Sequence, residues 1–321
     1  MEATARAHTN IALIKYWGKK NTALKTPLMS SLSMTLDAFY TDTTFIHDSS
    51  LTEDSFYLNN IKQNDNNSER VFNYIHHLQK LFNLKGHFTI YSTNHVPTSA
   101  GLASSASAFA ALATAFAKSY QLDLTLTDLS RFARLGSGSA TRSIFGGFVK
   151  WIKGNDQTSV AVPIDQKPDW DLHMLAVEVN TGVKKISSSK GMIQAQTSPF
   201  YLPWLERNDE EITMMENAIN SKNFTKLGEL AELSANEMHA TNLTATPSFT
   251  YFEPQTLKLI KLIQELRSQG IECYYTIDAG PNVKILAQKN NLSAISSAVH
   301  TLLDNVKIVD ASFGPGVTIL D

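Results

Sequence analysis

Residues 97–120, PTSAGLASSASAFAALATAFAKSY, constrain the fold more than any other stretch of this chain. From Leu102 to Ala117 the segment is mostly Ala, Leu and Phe, so a helix there is apolar on nearly every side. Such a helix is stable only when surrounded. Ser104, Ser105, Ser107 and Thr114 interrupt the run, and it falls short of the ~18 apolar residues that a membrane span requires. A buried helix of a soluble core is therefore expected. The loop ahead of it adds a second constraint. Gly101 lets the backbone approach a ligand closely, the serines add hydroxyl donors, and the helix directs its free N–H groups at the same spot. A helix N-terminus carries roughly half a positive charge, so phosphate is the natural guest. No Lys or Arg lies between Pro97 and Ala117, so this is not the GxxxxGK[ST] loop. Taken alone, such a run is more often a plain capped loop.

A length of 321 residues is comfortable for two cores. Lys plus Arg number 28 against 30 for Asp plus Glu, which leaves no charge excess to hold nucleic acid or an acidic membrane surface as the main partner. The single Cys273 excludes an intramolecular disulfide and a Cys-rich zinc site. The apolar run Ile11–Ile14 is too short for a signal peptide, so no membrane association and a cytoplasmic location are expected.

Strands are expected over Ser33–Ile46, Phe88–Ser92, Phe148–Ile152, Val160–Ile164 and Met174–Val179. Asn59–Glu69 reads as a polar loop before an amphipathic helix over Val71–Leu81, and Thr127 or Asp128 as the cap of a helix through Leu135. After Pro203 come helices over Ile212–Ile219, Phe224–His239 and Pro254–Gln269. The end alternates: strands at Cys273–Ile277 and Val283–Leu286, a helix over Ala294–Leu303, and strands near Lys307–Val309 and Gly316–Leu320. That order suits an α+β class, with helices covering one face of an antiparallel sheet. A soft boundary near Asn180 divides the chain into domains 1–180 and 181–321.

Pro97, Gly101, Leu102, Ser104, Ser105 and Ala106 match P-x-x-x-G-L-x-S-S-A-x residue for residue. This loop resembles the central motif of the GHMP family of small-molecule kinases. The resemblance implies a two-domain α+β fold, ribosomal-protein-S5-like at the N-terminus and ferredoxin-like at the C-terminus. It also implies ATP as co-substrate with Mg²⁺. Gly101, Ala103, Ser104, Ser105 and Ala106 would lie at the nucleotide, with Ser105 nearest the metal.

Within Ala7–Lys19, AHTNIALIKYWGK, two cations four residues apart flank a phenol, a group that suits a polyanion. This segment, with Arg134–Gly147, Met238–Asn242 and Asp278–Lys284, is similar to the mevalonate diphosphate decarboxylase branch of that family. The five ordered blocks span nearly the whole chain. The resemblance implies an enzyme that phosphorylates the 3-hydroxyl of mevalonate 5-diphosphate with ATP and then releases CO₂, phosphate and isopentenyl diphosphate. It also implies a homodimer. Two other readings stay open: a kinase acting on a mevalonate-like alcohol without decarboxylation, and a non-catalytic nucleotide-binding protein.

By that resemblance Asp278 is the catalytic carboxylate, although Asp before Gly is commonest as a turn residue. Arg142 is the candidate clamp for the substrate carboxylate, since guanidinium binds carboxylate with two parallel hydrogen bonds. Tyr16 and Lys19 would hold the diphosphate or carboxylate end, assisted by Ser92. Ser137 and Ser139 would bond substrate or ATP oxygens, Ser188 the substrate, Lys184 the ATP phosphates, and Asn10 would support the site. His239, alone on a long helix, reads as structural. The stretch from Ser137 to Gly147 lacks the catalytic Asp that many kinase relatives place there, which favours the decarboxylase branch. One position departs. The bacterial enzymes it resembles carry Arg immediately after the serine pair, where this chain has Ser189. Lys190 is the expected substitute, as a flexible point charge.

Overall fold

The computed structural model describes residues 1–95, 104–180, 182 and 185–320. The first half forms β1 (Glu2–Ile14), β2 (Lys19–Asn21), β3 (Thr26–Pro27), β4 (Ser31–His47), β5 (Ser55–Leu58), β6 (Ile61–Lys62), α1 (Asp65–Leu81), β7 (Phe88–Asn94), α2 (Ser104–Ser119), α3 (Leu126–Gly136), β8 (Phe148–Trp151) and β9 (Ala161–Asp165). Strands β1, β4, β7, β5 and β6 lie in that order in one sheet, and β8 and β9 join it through the start of β4. In β4 the period of two is explicit. Phe39, Thr41, Thr43 and Phe45 are buried, while Tyr40, Asp42 and Thr44 are only partly so. Phe45 meets Phe116 of α2 edge-on at 5.3 Å, and α2 is buried on almost all sides, as its composition requires.

The second half comprises β10 (Leu172–Glu178), α4 (Ser188–Ala195), α5 (Tyr201–Asn220), α6 (Phe224–Leu243), α7 (Pro254–Ser268), β11 (Cys273–Ile277), β12 (Val283–Gln288), α8 (Leu292–Leu302), β13 (Lys307–Ala311) and β14 (Thr318–Leu320). Strands β11, β12, β10 and β13 form an antiparallel sheet in that order. Leu172, Met174 and Ala176 pack with α5, α6 and β1, whereas Leu175 and Val177 pack with α7 and α8. Helices therefore cover both faces of this sheet, not the single face expected. Alternation along strands buried on both sides carries no polar face for a reader to see.

Other details also differ from the expectation. The polar run after Asn59 is a tight hairpin, with Asn59 and Asn60 at positive φ. Helix α1 then starts at Asp65 because the Asn64 side chain accepts the Asn67 N–H at 3.0 Å. Helix α3 is capped by Thr125, whose hydroxyl and Asp128 satisfy each other's backbone N–H in a capping box. Strand β10 precedes Asn180 yet pairs with strands that follow it. β14 leaves the second sheet and pairs with β1, Leu320 opposite Thr4. Among the described residues, no helix is long and apolar enough to cross a membrane.

Candidate functional site

A cavity of about 480 Å³ opens where the end of β1, the start of α2, the turn Gly138–Ile144, the start of α4 and the β11–β12 connection meet. Among the described residues, its lining includes Lys15, Lys19, Lys25, Arg70 and Arg142 but only one acid, Asp278. Tyr16, Ser104, Ser105, Ser137, Ser139 and Ser188 also line it. Gly101, Ala103 and Lys184 lie outside the described residues.

The β1 strand delivers Lys15 and Tyr16, and the chain must then turn sharply. Gly18, at φ +152°, makes the turn, and a Cβ there would sit 1.8 Å from the Tyr201 hydroxyl. That hydroxyl instead donates to the Trp17 carbonyl at 2.6 Å and fixes the bend. The Tyr16 ring packs edge-on against Trp151 at 4.6 Å. Its own hydroxyl is buried, has no hydrogen-bond partner among the described residues, and lines the cavity. Burial pushes its ionisation far up, so it remains a neutral donor.

Asp278 stands at the end of β11 between two buried ammonium groups. Lys15 Nζ donates to Oδ1 at 2.6 Å and Lys284 Nζ lies 3.5 Å from Oδ2. Burial lowers the Lys15 pKa to about 8, against the opposing pull of Asp278. Burial lowers Lys284 as well. The sequence pattern grouped Lys15 with Lys19 as a single clamp; the fold separates them, giving Lys15 to Asp278 and Lys19 to Ser189 Oγ at 3.2 Å.

Arg142 is 3% exposed. Its Nε donates to Asn10 Oδ1 at 3.0 Å and its Nη1 to Ser31 Oγ at 2.5 Å. Asn10 in turn donates to the Ser139 carbonyl at 3.0 Å and to Ser143 Oγ at 2.8 Å, so the expected supporting role for Asn10 has a geometry. These bonds fix the guanidinium while it lines the cavity. Arg134, from the same sequence block, is structural: it ties α3 to Leu24, Asp156 and Ser159.

Serine hydroxyls link the two sides of the site. Ser105 Oγ lies 3.2 Å from Ser137 Oγ, which is 3.3 Å from Ser139 Oγ. Ser104 and Ser105 open α2, so the helix N-terminus faces the same space. No cluster of three His, Cys, Asp or Glu side chains suited to a metal occurs among the described residues. Magnesium commonly keeps waters and borrows phosphate oxygens, so hydroxyl donors such as Ser105 fit it as partial ligands.

Three expected contacts are not brought to the cavity. Ser92 sits in β7, where its Oγ bonds Thr43 Oγ1 at 2.9 Å within the sheet. Ala106 packs its methyl into the first core. Lys190 is exposed and is not part of the cavity lining, to which Ser187, Ser188, Ser189 and Met192 of the same segment contribute. His239 is buried behind the site. It packs on Phe252 at 4.4 Å and donates from Nε2 to the Ile277 carbonyl at 3.3 Å, which steadies the strand end that presents Asp278. Burial lowers its pKa to about 3, so it is neutral.

Residues 7–161 match the family model for the diphosphomevalonate decarboxylase-like N-terminal domain, and residues 174–315 that for the mevalonate 5-diphosphate decarboxylase C-terminal domain. The chain belongs to the diphosphomevalonate decarboxylase family. The mevalonate diphosphate decarboxylase of Staphylococcus aureus is 45% identical with a TM-score of 0.96, over 100% of this chain and 98% of that one. A complex described as MDDEF with MVAPP, AMPPCP and magnesium is 44% identical with a TM-score of 0.94, over 100% and 99%. Diphosphomevalonate decarboxylase of Candida albicans is 34% identical over 98% of this chain and 96% of its own length. The two-domain α+β, GHMP kinase-like fold is that of these structures.

Proposed function

We propose that this chain converts mevalonate 5-diphosphate and ATP to isopentenyl diphosphate, CO₂, ADP and phosphate. The observation that carries the reading is the cavity's charge: among the described residues, five Lys or Arg side chains surround a single carboxylate that is itself held by two ammonium groups. Such a wall suits a substrate with several anionic groups and one hydroxyl to be activated.

Phosphorylation turns the tertiary 3-hydroxyl into a leaving group. The C–O bond then breaks with its electrons going to phosphate, and the C–CO₂ bond breaks to form the new double bond. Asp278 orients the hydroxyl and accepts its proton during phosphoryl transfer. Arg142 holds the carboxylate until CO₂ departs. Tyr16, Lys19 and Ser188 bond diphosphate oxygens. Ser104 and Ser105, with the α2 N-terminus and Ser137, receive the ATP phosphates. Magnesium would neutralise charge on those phosphates, and Ser105 is the residue that would hold it. The reading carries with it a cytoplasmic homodimer; sedimentation at twice the chain mass of 35.5 kDa is the expected result for the assembly. It also takes the chain as two domains, 1–180 and 181–321.

Mass spectrometry after incubation with ATP, Mg²⁺ and mevalonate 5-diphosphate should identify isopentenyl diphosphate, formed only when ATP is present. A 3-phosphorylated acid accumulating instead would overturn the reading in favour of a kinase.

Ser105→Ala removes one hydroxyl from the ATP side and leaves the carboxylate side intact. The expected outcome is a rise in KM for ATP of about tenfold, in line with one charge-assisted hydrogen bond, with KM for mevalonate 5-diphosphate little changed. Unaltered ATP kinetics would remove Ser105 from this role.

The pH dependence follows from the lysines. Lys15 and Lys25 both have pKa values lowered to about 8 by burial. Below pH 8 both are charged; above it the cavity loses positive charge that binds an anionic substrate. kcat/KM for mevalonate 5-diphosphate should therefore hold up to about pH 8 and fall beyond it. A profile flat to about pH 9.5 would contradict the assignment.

A further inference from the structure

Helix α6 carries the block Met238–Asn242, and Met238 of that block lines the cavity. Ser234, Met238 and Asn242 are spaced four residues apart and so share one face of the helix. Met238 shows that this face is directed at the site, and His239 lies beside it. Ser234, His239 and Asn242 are all buried. A buried polar side chain costs stability unless it is hydrogen-bonded, and on a helix a hydroxyl can meet that need with a carbonyl of its own helix. Thr241 and Thr244 do so, donating to the Met238 and Ala240 carbonyls at 2.8 and 2.6 Å. Ser234, His239 and Asn242 reach other elements instead.

Their partners are immediate neighbours of the reacting groups. Ser234 Oγ accepts the backbone N–H of Lys15 at 3.0 Å, one residue past the end of β1. Asn242 Oδ1 accepts the Trp17 indole N–H at 2.9 Å. His239 Nε2 donates to the carbonyl of Ile277, the residue before Asp278, at 3.3 Å. One helix therefore grips the exit of β1 on either side of Tyr16 and the end of β11 at a third point. Lys15 and Asp278 are 263 residues apart in sequence, and their 2.6 Å contact requires the two segments to be placed together. The Lys15 ammonium is also tied to the Ala12 carbonyl at 2.9 Å, so its reach is set by its own backbone. A displacement of that backbone is passed on to the ammonium.

We propose that Ser234, His239 and Asn242 are positioning residues, through which α6 holds Lys15 and Tyr16 in register with Asp278. The proposal rests on the role given to Asp278 in the decarboxylase reading and adds to it the element that sets the geometry. Leu227, Leu230 and Ala231 already pack α6 between the second sheet and β1, but apolar contacts are non-directional. The three hydrogen bonds are directional and fix the register that those contacts leave open. His239 is neutral, so it adds no third cation beside Lys15 and Lys284. Ser234 and His239 act on the two sides of the Lys15–Asp278 contact. Asn242 acts on the bend that presents Tyr16 and, beyond Gly18, Lys19. The two ends of the stripe therefore have separate kinetic signatures.

The experiment compares the full-length wild type with Ser234→Ala, His239→Leu and Asn242→Leu. Ser234→Ala and His239→Leu should each lower kcat by about 5- to 20-fold, the effect of one lost hydrogen bond and a slight misplacement of reacting groups. Both KM values should stay within about twofold. His239→Gln, whose amide keeps a donor for the Ile277 carbonyl, should recover part of the loss. Asn242→Leu should instead raise KM for mevalonate 5-diphosphate by about 5- to 20-fold while KM for ATP holds. A readout without turnover is the titration of Lys15, followed by NMR of isotope-labelled lysine and assigned with Lys15→Met. Asp278 holds the Lys15 proton against burial, while Lys284 and Arg142 repel it. Loosening the contact in Ser234→Ala should therefore lower the Lys15 midpoint from about 8 by roughly half a pH unit or more. This arm tests the alignment even if the wild type releases no CO₂. Should Ser234→Ala fail to fold, the same titration in His239→Gln against His239→Leu decides the matter, with the midpoint lowered only in the leucine variant. A kcat within about twofold of wild type in Ser234→Ala and His239→Leu, with the Lys15 midpoint unmoved, would overturn the proposal. Losses shared by kcat and both KM values in all three variants, with the midpoint unmoved, would overturn it too, by leaving α6 a core helix and nothing more.

Discussion

Replacing Asp278 with asparagine should lower kcat by roughly 10²–10⁴-fold, the range for removing a positioned general base. Asparagine keeps the size and can still hydrogen-bond the substrate hydroxyl, but it carries no charge and takes no proton. The environment sharpens the effect. Lys15, with a side chain 1% exposed, and Lys284, equally buried, both address this one carboxylate. In the variant, two ammonium groups face each other without their counter-ion, which also disfavours their charged forms. Nucleotide binding should survive, because Ser104 and Ser105 belong to a different element. Steady-state kcat, together with nucleotide affinity measured by fluorescence, checks both halves. A kcat within about threefold of wild type would remove Asp278 from the chemistry.

Arg142→Gln should lower kcat by about 10²–10³-fold, the usual loss when a preorganised donor is removed from a site that excludes water. The guanidinium is held by Asn10 and Ser31 before substrate arrives, so its cavity-facing donors need no rearrangement to meet the carboxylate. Glutamine can replace at most one of those bonds and none of the charge. Arg142→Lys should recover little, since a point charge cannot reproduce the planar fork. If the loss appeared only in KM, with kcat intact, Arg142 would be a binding residue and not one that holds the carboxylate through the reaction.

The residues fixed by local pattern were legible in the sequence; those fixed by distant packing were not. Tyr16, Ser105, Arg142 and Asp278 fall in short blocks with recognisable spacing, and they line one cavity. Lys15 was visible, but its partner lies 263 residues away, so sequence proximity assigned it to Lys19's task. Lys284 had a readable signal that went unused: a lysine inside the apolar run Val283–Leu286 has no solvent face to occupy in a doubly covered strand. Arg70 had none. It sits in the polar first turns of α1, where an arginine looks like an ordinary solvated side chain, and its contact with Gly136 spans 66 residues. Ser92 and Lys190 fall outside the cavity lining for a simpler reason. Position near a motif does not settle which face of a strand or helix a side chain takes.

Fold class followed from the alternation of helices and strands, while sheet membership did not. Strand β14 carries no sign in its few residues that it pairs with the first strand of the chain. The double cover of the second sheet is likewise set by α6, which packs between that sheet and β1 through Leu227, Leu230 and Ala231.

The central claim is that one site couples phosphoryl transfer to carboxylate loss. Carboxyl-labelled mevalonate 5-diphosphate, incubated with the wild-type chain, ATP and Mg²⁺, tests it by counting labelled CO₂ against ADP. Equal amounts of CO₂, ADP and phosphate throughout the time course are the predicted result. ADP formed in step with substrate loss, with the label retained in a phosphorylated acid, would contradict it.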